Sequence, residues 1–337
     1  MRNSGRRKKK TVQSLVIILI IIAAASAAGA IFLWRQAVKM KSMDSGGSVG
    51  NASQPPAENT VEYNGETWKY NDHLSNYLFM GIDRTDEVST YDSQQDAGQA
   101  DSIFVVSMDR VTEKVKVLLI PRDTITEIEV FNPSGQSLGK SQNHINLQYA
   151  YGDGKTRSCE LMETAVSGLM KGIPIHGYCA MNMEGISVIT DLVGGVEVTV
   201  PDASLEEVNP EFREGAVVTL AGEDAEQFVR YRDINERGSS LVRQERQKTY
   251  MKALLQKSKE AANRDAGFVT DMYEAIRPYT VTSLGTDVFA RLLAAADGNT
   301  AEVETVPGEM THPGDFDEYH VNEDEFNGLL IEMFYKN

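Results

Sequence analysis

Five arginines lie within the stretch FVRYRDINERGSSLVRQERQ, residues 228–247, of a 337-residue chain whose formal net charge is -16. The planar guanidinium group of arginine donates hydrogen bonds in a fork that matches phosphate oxygens. Such a cluster in an acidic protein therefore predicts a local anion site, for phosphate or pyrophosphate. The alternative is a set of solvated surface ion pairs, each of which contributes only about 0–1 kcal/mol.

The first two of these arginines can point in the same direction only if the helix before them has already ended. Apolar residues recur at helical spacing after Gly222, and we expect this helix to end near Val229. Arg230 and Arg232 are two residues apart, so they share a face only if the segment is extended. We therefore expect an extended RYR segment with both guanidinium groups in one pocket.

A second helix is expected to position the remaining donors of the stretch. Ser239 or Ser240 can cap its N-terminus, and Arg243 and Gln247, at positions i and i+4, would then share a face. A phosphate near the first turn of that helix would also interact favourably with the helix dipole and the free N–H groups.

Two aspartates and one arginine are expected to meet at one edge of a β-sheet. Asp83 follows the apolar strand NYLFMGI, and Asp101 opens the next strand, SIFVVSM. A turn joins that strand to VKVLLI as an antiparallel hairpin, which brings Arg122 beside Asp101. Two carboxylates together with substrate phosphate oxygens are a usual ligand set for magnesium. The alternative for each aspartate is a structural role, in which it caps backbone donors at a strand end or turn.

The N-terminal residues predict a membrane anchor. Residues 1–13 carry six basic side chains and no acidic one, and residues 14–34 carry no charge. At about 1.5 Å per residue the uncharged segment spans the roughly 30 Å core of a bilayer. The basic flank predicts a cytoplasmic N-terminus in the cell membrane and an extracellular remainder. The alternative is a cleaved signal peptide, because AAASAAGA offers small residues near the end of the apolar run.

A flexible linker and an acidic globular region follow the anchor. Residues 35–60 are rich in Gly, Ser, Asn and Pro, and the composition becomes globular at residue 61. Residues 1–41 hold nine of the 33 Lys and Arg residues, which leaves 24 basic against 49 acidic residues and a charge of -25. A field of that sign opposes general binding to nucleic acid.

Several local patterns within the globular region indicate its structural elements and exclude some classes of enzyme. VEYNGETWKY predicts two strands around an Asn-Gly turn, and the apolar stretches 160–173 and 182–196 predict mainly core helices. Cys159 and Cys179 form no CxxC pair, and we favour two free buried thiols over a disulfide. The dinucleotide glycine motif, the Walker motif, HExxH and GxSxG are missing from the sequence, so nucleotide-driven transfer, zinc proteolysis and serine hydrolysis lose support.

The globular region resembles the LytR-CpsA-Psr family, membrane-anchored transferases that attach glycopolymers to peptidoglycan in Gram-positive bacteria. The resemblance covers nearly all of residues 61–337 and rests on LFMGID, ADSI, IPRDT, HINLQYAYGDG, LVGGVEVTVP, FVRYRD, RQERQ, VTSL and VPG, in that order. It implies an α/β/α sandwich around a mixed central sheet. It also implies a long apolar pocket for a polyprenyl lipid, which a minority of residues in the apolar stretches would line.

The family's functional residues carry over to matching positions of this chain. Asp83 and Asp101 match the aspartates associated with magnesium. The positions that match the family's pyrophosphate contacts are Arg122, Arg230, Arg232, Arg243, Arg246 and Gln247. The residues expected to carry the catalysis are Asp101, Arg122, Arg230 and Arg232. Asp123 is expected to be structural and to hold the neighbouring loop or an arginine, and Arg237 lies outside the family pattern.

The function that the resemblance implies is a magnesium-assisted phosphotransfer. The donor would be an undecaprenyl-pyrophosphate-linked glycopolymer, the acceptor a hydroxyl of peptidoglycan, and the lipid product undecaprenyl phosphate. Two alternatives stay open. One is a pyrophosphatase, in which water replaces the glycan hydroxyl at the same site, and the other is a regulatory module that binds the lipid without turnover.

Overall fold

The structure of the protein is a computed structural model. It describes residues 60–90, 97–132, 134–231, 239–265, 267–285, 287–289, 291–292, 302–314 and 317–337. The predicted basic tail, the membrane segment 14–34 and the linker up to residue 59 lie outside the described residues, as do Arg232 and Arg237. Among the described residues, no helix combines the length and the apolar character needed to cross a membrane.

Two compact units divide the described residues. The sheet unit lies within Met43–Met181, Thr280–Leu284 and Ala301–Asn337. The helical unit lies within Asn182–Tyr279 and Gly285–Thr300. Each unit has its own buried apolar residues.

The chain is of the α/β class, with helices interspersed among its strands. The strands are β1 Thr60–Tyr63, β2 Glu66–Tyr70, β3 Leu74–Ile82, β4 Ala100–Asp109, β5 Val115–Ile120, β6 Ile125–Phe131, β7 Ser137–His144, β8 Tyr178–Asn182, β9 Val196–Thr199, β10 Val217–Leu220, β11 Thr280–Thr282, β12 Glu302–Thr305, β13 Gly308–Thr311, β14 Glu318–Val321 and β15 Tyr335–Lys336. The helices are α1 Leu147–Ala150, α2 Thr156–Leu169, α3 Glu184–Leu192, α4 Gly222–Arg230, α5 Ser239–Arg264, α6 Phe268–Ile276 and α7 Glu323–Phe334.

The predicted Asn-Gly hairpin opens the sheet unit. Strands β1 and β2 pair antiparallel, with Tyr63 opposite Glu66. Asn64 and Gly65 connect them with φ values of 54° and 79°. Positive φ at both central residues is the requirement of a type I′ turn, whose twist matches that of the flanking strands. The hairpin prediction is confirmed.

A six-stranded mixed sheet in the order β11-β8-β3-β4-β5-β12 is the frame of the sheet unit. Strand β4 pairs antiparallel with both β3 and β5, whereas β12 pairs parallel with β5. Ile103 lies opposite Ile120 and Met108 opposite Val115, which is the predicted hairpin. The mixed sheet and its central antiparallel strands are therefore confirmed.

The core of the sheet unit lies where α2 and α7 pack on the sheet. Leu78, Met80 and Val105 alternate along β3 and β4 and belong to one buried cluster with side chains of both helices. The stretch 160–173 forms most of α2 and contributes to this core, as predicted. Cys159 and Cys179 are both buried and free, which confirms the preference for two thiols.

The helical unit packs α3, α4, α5 and α6 with the hairpin formed by β9 and β10. Phe228 of α4 packs edge-on against Phe212 with ring centroids 5.9 Å apart. Helix α4 ends at Arg230, one residue beyond the predicted end, so the prediction that Arg230 belongs to an extended segment is wrong. Tyr231 is the first residue outside the helix, with φ -51° and ψ 133°. Helix α5 begins at Ser239, so a helix start at the predicted pair of serines is confirmed, whereas Ser239 is the first residue of the helix.

A substitution in the shared core should reveal how much the sheet unit depends on it. Leu78 is fully buried among side chains of the sheet and helices. We expect Leu78→Ala to lower the free energy of unfolding by about 2–5 kcal/mol, because it removes apolar contacts and leaves a cavity. Denaturant unfolding of the full chain measures this loss. Val111→Ala, at an exposed residue, is the control and should change stability by less than about 0.5 kcal/mol.

Candidate active site

A β-bulge sets the position of Asp101. The pairing of β3 with β4 passes from Gly81 opposite Ser102 to Ile82 opposite Ala100. Asp101 is thus the extra residue of β4, with no Cα partner on β3. Bulges of this kind change the direction of a side chain and are frequent beside active sites. The bulge places the Asp101 carboxylate at the end of the ladder.

Arg122 lies between two carboxylates, two residues after the end of β5. Its Nη1 donates to Oδ1 of Asp101, and its Nε donates to Oδ1 of Asp123 at 3.2 Å. The side chains of all three residues are largely shielded from solvent, so this ion-pair network is stronger than one on an open surface. The prediction that Arg122 lies beside Asp101 is confirmed, and Asp123 holds an arginine as predicted.

Asp83 joins the same edge of the sheet through backbone hydrogen bonds. Its N–H donates to the Gln99 carbonyl at 3.1 Å, and its Oδ1 accepts from the Gln99 N–H. Burial raises the pKa of the Asp83 carboxyl, the hydrogen bond from Gln99 opposes this shift, and the charge of Asp101 adds to it. Arg122 lowers the same pKa. The predicted convergence of the two aspartates and Arg122 is thus present.

Gln99 and Asn146 link the members of this group, which we call the sheet-edge cluster: Asp83, Gln99, Asp101, Arg122, Asp123 and Asn146. The Gln99 Oε1 accepts from Arg122 Nη2 at 3.3 Å and from Asn146 Nδ2 at 3.0 Å. The Asn146 N–H donates to the Arg122 carbonyl at 3.3 Å. Sequence reasoning missed both residues. The signal available was their position inside the motifs, directly before ADSI and within HINL.

Gly98 permits the close approach of Gln99 to Asp83. Its φ is 73°, a region that residues with a Cβ rarely adopt. A Cβ at this position would lie 2.8 Å from Asp83 Oδ1 and 2.6 Å from Arg84 Cγ. The absence of a side chain is therefore required for the turn that brings the Gln99 amide to the Asp83 carboxylate.

The described residues of the predicted arginine site lie in the helical unit. Together with Tyr231 they form what we call the helix-end cluster: Arg230, Tyr231, Arg243, Arg246 and Gln247. Arg230 is 56% exposed in its side chain and pairs with Glu226 at 2.9 Å. Arg243 is buried, and Arg246 is 1% exposed. Gln247 Nε2 donates to the Val229 carbonyl at 3.2 Å. The solvated-surface alternative therefore does not describe Arg243 and Arg246.

The sequence-predicted site residues fall into these two clusters. Asp83, Asp101 and Arg122 belong to the sheet unit. The other described residues that were predicted to contact pyrophosphate belong to the helical unit. Arg232 lies outside the described residues. Within the part of the chain that the structure describes, no three or more His, Cys, Asp or Glu side chains are grouped as a metal site.

Comparison with known proteins matches most of the chain to one family. A family model described as the LytR_cpsA_psr family matches residues 37–333. The chain is 30% identical over 191 residues to the polyisoprenyl-teichoic acid–peptidoglycan teichoic acid transferase TagV of Bacillus subtilis (strain 168), which covers 55% of this chain and 44% of TagV. It is 34% identical over 210 residues to TagU of Bacillus mycoides (strain KBAB4), which carries the same description. That alignment covers 62% of this chain and 60% of TagU. The chain thus spans about half the length of the curated relatives it matches.

A solved structure of TagT bound to LI-WTA shares the fold. The TM-score is 0.56 at 20% sequence identity, and the match covers 77% of this chain and 89% of the TagT chain. At that identity the likeness establishes the fold alone, a mixed α/β arrangement around a central mixed sheet.

Substitution of Gly98 should test the geometry of the sheet-edge cluster. Gly98→Ala forces a side chain into a positive φ, which costs about 1–2 kcal/mol, and adds a steric clash with Asp83 worth about 1–3 kcal/mol. Gly65→Ala is the matched control, because Gly65 has a φ of 79° but no atom within 4 Å of the place that a Cβ would occupy. We expect denaturant unfolding to show a larger loss for Gly98→Ala than for Gly65→Ala. Equal losses would contradict the close approach to Asp83.

Proposed function

Because the chain belongs to the LytR_cpsA_psr family, we propose that it is a phosphotransferase that moves a glycopolymer from an undecaprenyl-pyrophosphate-linked donor to a hydroxyl of peptidoglycan. Its relatives TagV and TagU are named polyisoprenyl-teichoic acid–peptidoglycan teichoic acid transferases, and TagT has been solved bound to LI-WTA. These names support a lipid-linked polymer as donor. The observation that carries the proposal is the convergence of Asp83, Asp101 and Arg122 at one edge of the sheet.

Arginine side chains are proposed to donate hydrogen bonds to the pyrophosphate of the donor. Arg122 offers a forked donor that is already held in place by carboxylates on two sides. Arg230 is exposed and has only Glu226 as an anionic partner among the contacts described for it, so a phosphate oxygen can take that partner's place. Each such charge-assisted hydrogen bond contributes about 1.5–3 kcal/mol. Arg232, Arg243 and Gln247 are proposed as further pyrophosphate contacts, and an apolar pocket is proposed for the lipid chain.

The donor set at the sheet edge fits a magnesium ion. Burial raises the pKa of the Asp83 carboxyl and the charge of Asp101 adds to that shift, so a divalent cation held by these two carboxylates would offset their repulsion. Magnesium usually takes one or two protein carboxylates and completes its shell with water and substrate phosphate oxygens. When bound, the ion would offset negative charge on the transferring phosphate.

The proposed reaction is a displacement at phosphorus. The acceptor hydroxyl oxygen forms a bond to the phosphorus attached to the sugar, and the bond from that phosphorus to the bridging oxygen breaks, which releases undecaprenyl phosphate. The arginines stabilise negative charge on the phosphate oxygens, which is the main contribution a protein makes to phosphoryl transfer. Asp101 is proposed to orient the acceptor hydroxyl, whose proton leaves to solvent.

The donor lipid and the acceptor both fix where the reaction must take place. A polyprenyl donor lies in a bilayer, and peptidoglycan lies outside it. A single membrane anchor at residues 14–34 with an extracellular domain from residue 61 satisfies both requirements. We therefore propose a single-pass protein of the cell membrane whose globular region faces the cell wall.

One assay of the full chain in detergent micelles tests this function against its alternatives. The chain is incubated with lipid-linked glycopolymer, a peptidoglycan acceptor and magnesium, and the products are separated by size and charge. We expect glycan coupled to peptidoglycan together with polyprenyl phosphate. Release of free phosphoglycan would instead identify a pyrophosphatase, and binding without any product would identify a regulatory module.

Removal of either carboxylate charge should abolish most of the transfer. We expect Asp83→Asn and Asp101→Asn to lower the rate by about 100-fold or more, because each loses a charge that holds the ion and organises the phosphate site. Both variants should keep the circular dichroism spectrum of the parent. Asp86→Asn is the control, since it removes the same charge from an exposed side chain paired with Arg84. Unchanged rate and magnesium dependence in both site variants would contradict the proposed metal role.

A further inference from the structure

Arg246 is a buried cation whose contacts lie within the protein. Its Nη2 donates to the Tyr231 carbonyl, and its Cζ lies 5.6 Å from the centre of the Tyr231 ring. Its Nε lies 3.5 Å from Oδ2 of Asp202, an ion pair without hydrogen-bond geometry. With 1% of its surface exposed, the side chain cannot meet a ligand from solvent unless its surroundings move.

The carbonyl that Arg246 contacts lies just beyond the end of α4. The last carbonyls of a helix have no partner within that helix and need one from elsewhere. Gln247 supplies a donor to the Val229 carbonyl, and Arg246 supplies one to the Tyr231 carbonyl. Two adjacent side chains of α5 therefore bind the backbone where the chain leaves α4. The two carbonyls that they contact belong to the residues before and after Arg230.

The carboxylate of Asp202 compensates the positive charge of the buried Arg246 side chain. A buried guanidinium is costly unless an anion lies beside it. The Asp202 carboxylate is itself fixed, because its Oδ1 accepts hydrogen bonds from both the N–H and the hydroxyl of Ser204. Burial lowers the pKa of Arg246, and the charge of Asp202 opposes that shift. A continuous path of contacts thus runs from Ser204 through Asp202 and Arg246 to Tyr231.

We propose that Arg246 is a positioning residue rather than a phosphate ligand: with Asp202 and Gln247 it fixes the exit of the chain from α4, and thereby the direction in which Arg230 presents its guanidinium group. This inference rests on the proposed function, because it assigns Arg230 to the pyrophosphate of the donor. It differs from the role that the family resemblance suggests for Arg246, which is direct contact with the pyrophosphate.

The two roles predict opposite effects for a change at Asp202. Arg246 Nε and Nη1 have no hydrogen-bond partner among the described residues, so a direct ligand role would use these donors. Removal of the Asp202 charge would then free Arg246 for the phosphate and also remove a repulsive anion, and binding would become tighter. A positioning role requires Asp202, so the same change would weaken binding.

The experiment is a titration of the full chain in detergent with farnesyl pyrophosphate, monitored by calorimetry. We expect Asp202→Asn to bind about tenfold more weakly than the parent, because a misdirected Arg230 would lose a charge-assisted hydrogen bond to the phosphate, which is worth about tenfold or more in affinity. Asparagine still accepts the hydrogen bonds from Ser204, so the turn at residues 203–205 is retained. Arg246→Lys should show a similar loss, since an ammonium cannot reach the Tyr231 carbonyl and Asp202 with one planar fork. Glu274→Gln is the control, because it removes one charge from an exposed pair with Arg277 in the same unit and should bind as the parent does.

Hydrogen exchange supplies a readout that does not depend on the ligand. Amides of the peptide that covers residues 226–231 should exchange faster in Asp202→Asn and Arg246→Lys than in the parent or in Glu274→Gln. Equal or tighter binding by Asp202→Asn, or unchanged exchange at the end of α4, would overturn the positioning role while the proposed function stands. If the parent itself does not bind farnesyl pyrophosphate, the proposed function fails, and this inference fails with it.

Discussion

The antiparallel pairing of β3 with β4 is the constraint on which the sheet unit depends. Side chains alternate along both strands, so a shift of one residue would turn Leu78 and Val105 away from the core. The extra residue of the ladder is Asp101, at the end where β3 stops, so the register of the pairs from Leu74 to Gly81 is unbroken. The same pairing therefore buries an apolar face and delivers a carboxylate to the sheet edge. Arg122 reaches that carboxylate because β5 runs antiparallel to β4 and ends beside its start.

Both clusters hold a largely buried arginine beside one or two carboxylates. Arg122 lies between Asp101 and Asp123, and Arg246 lies beside Asp202 and under the Tyr231 ring. In each cluster the carboxylate compensates the guanidinium group for the hydration that it loses on burial. In a chain of net charge -16, each of these arginines is thus paired locally with acidic side chains.

Much of the fold and part of the site followed from local sequence patterns. The turn at Asn64 and Gly65 was predictable because few residues adopt positive φ, and the β4–β5 hairpin because an apolar run reverses at a polar turn. The position of Arg122 beside Asp101 followed from strand direction alone. The end of α4 was predicted to within one residue, since an i, i+2 pair of arginines indicates an extended segment. Motifs and their order identified the family, which the comparison with known proteins confirmed.

The sequence by itself thus determined the features that depend on near neighbours: strand alternation, the turns, the helix ends and the residue types of the site. Only the tertiary structure decided which polar groups meet across long stretches of chain. Gln99 joins Asp83 to Arg122 and Asn146, and Arg246 is buried against Asp202, although no spacing in the sequence relates these residues. The physical reason is that burial and hydrogen-bond partners depend on how elements pack in space. A motif therefore indicates that an arginine matters, whereas the packing around it decides whether it faces a ligand or holds the chain.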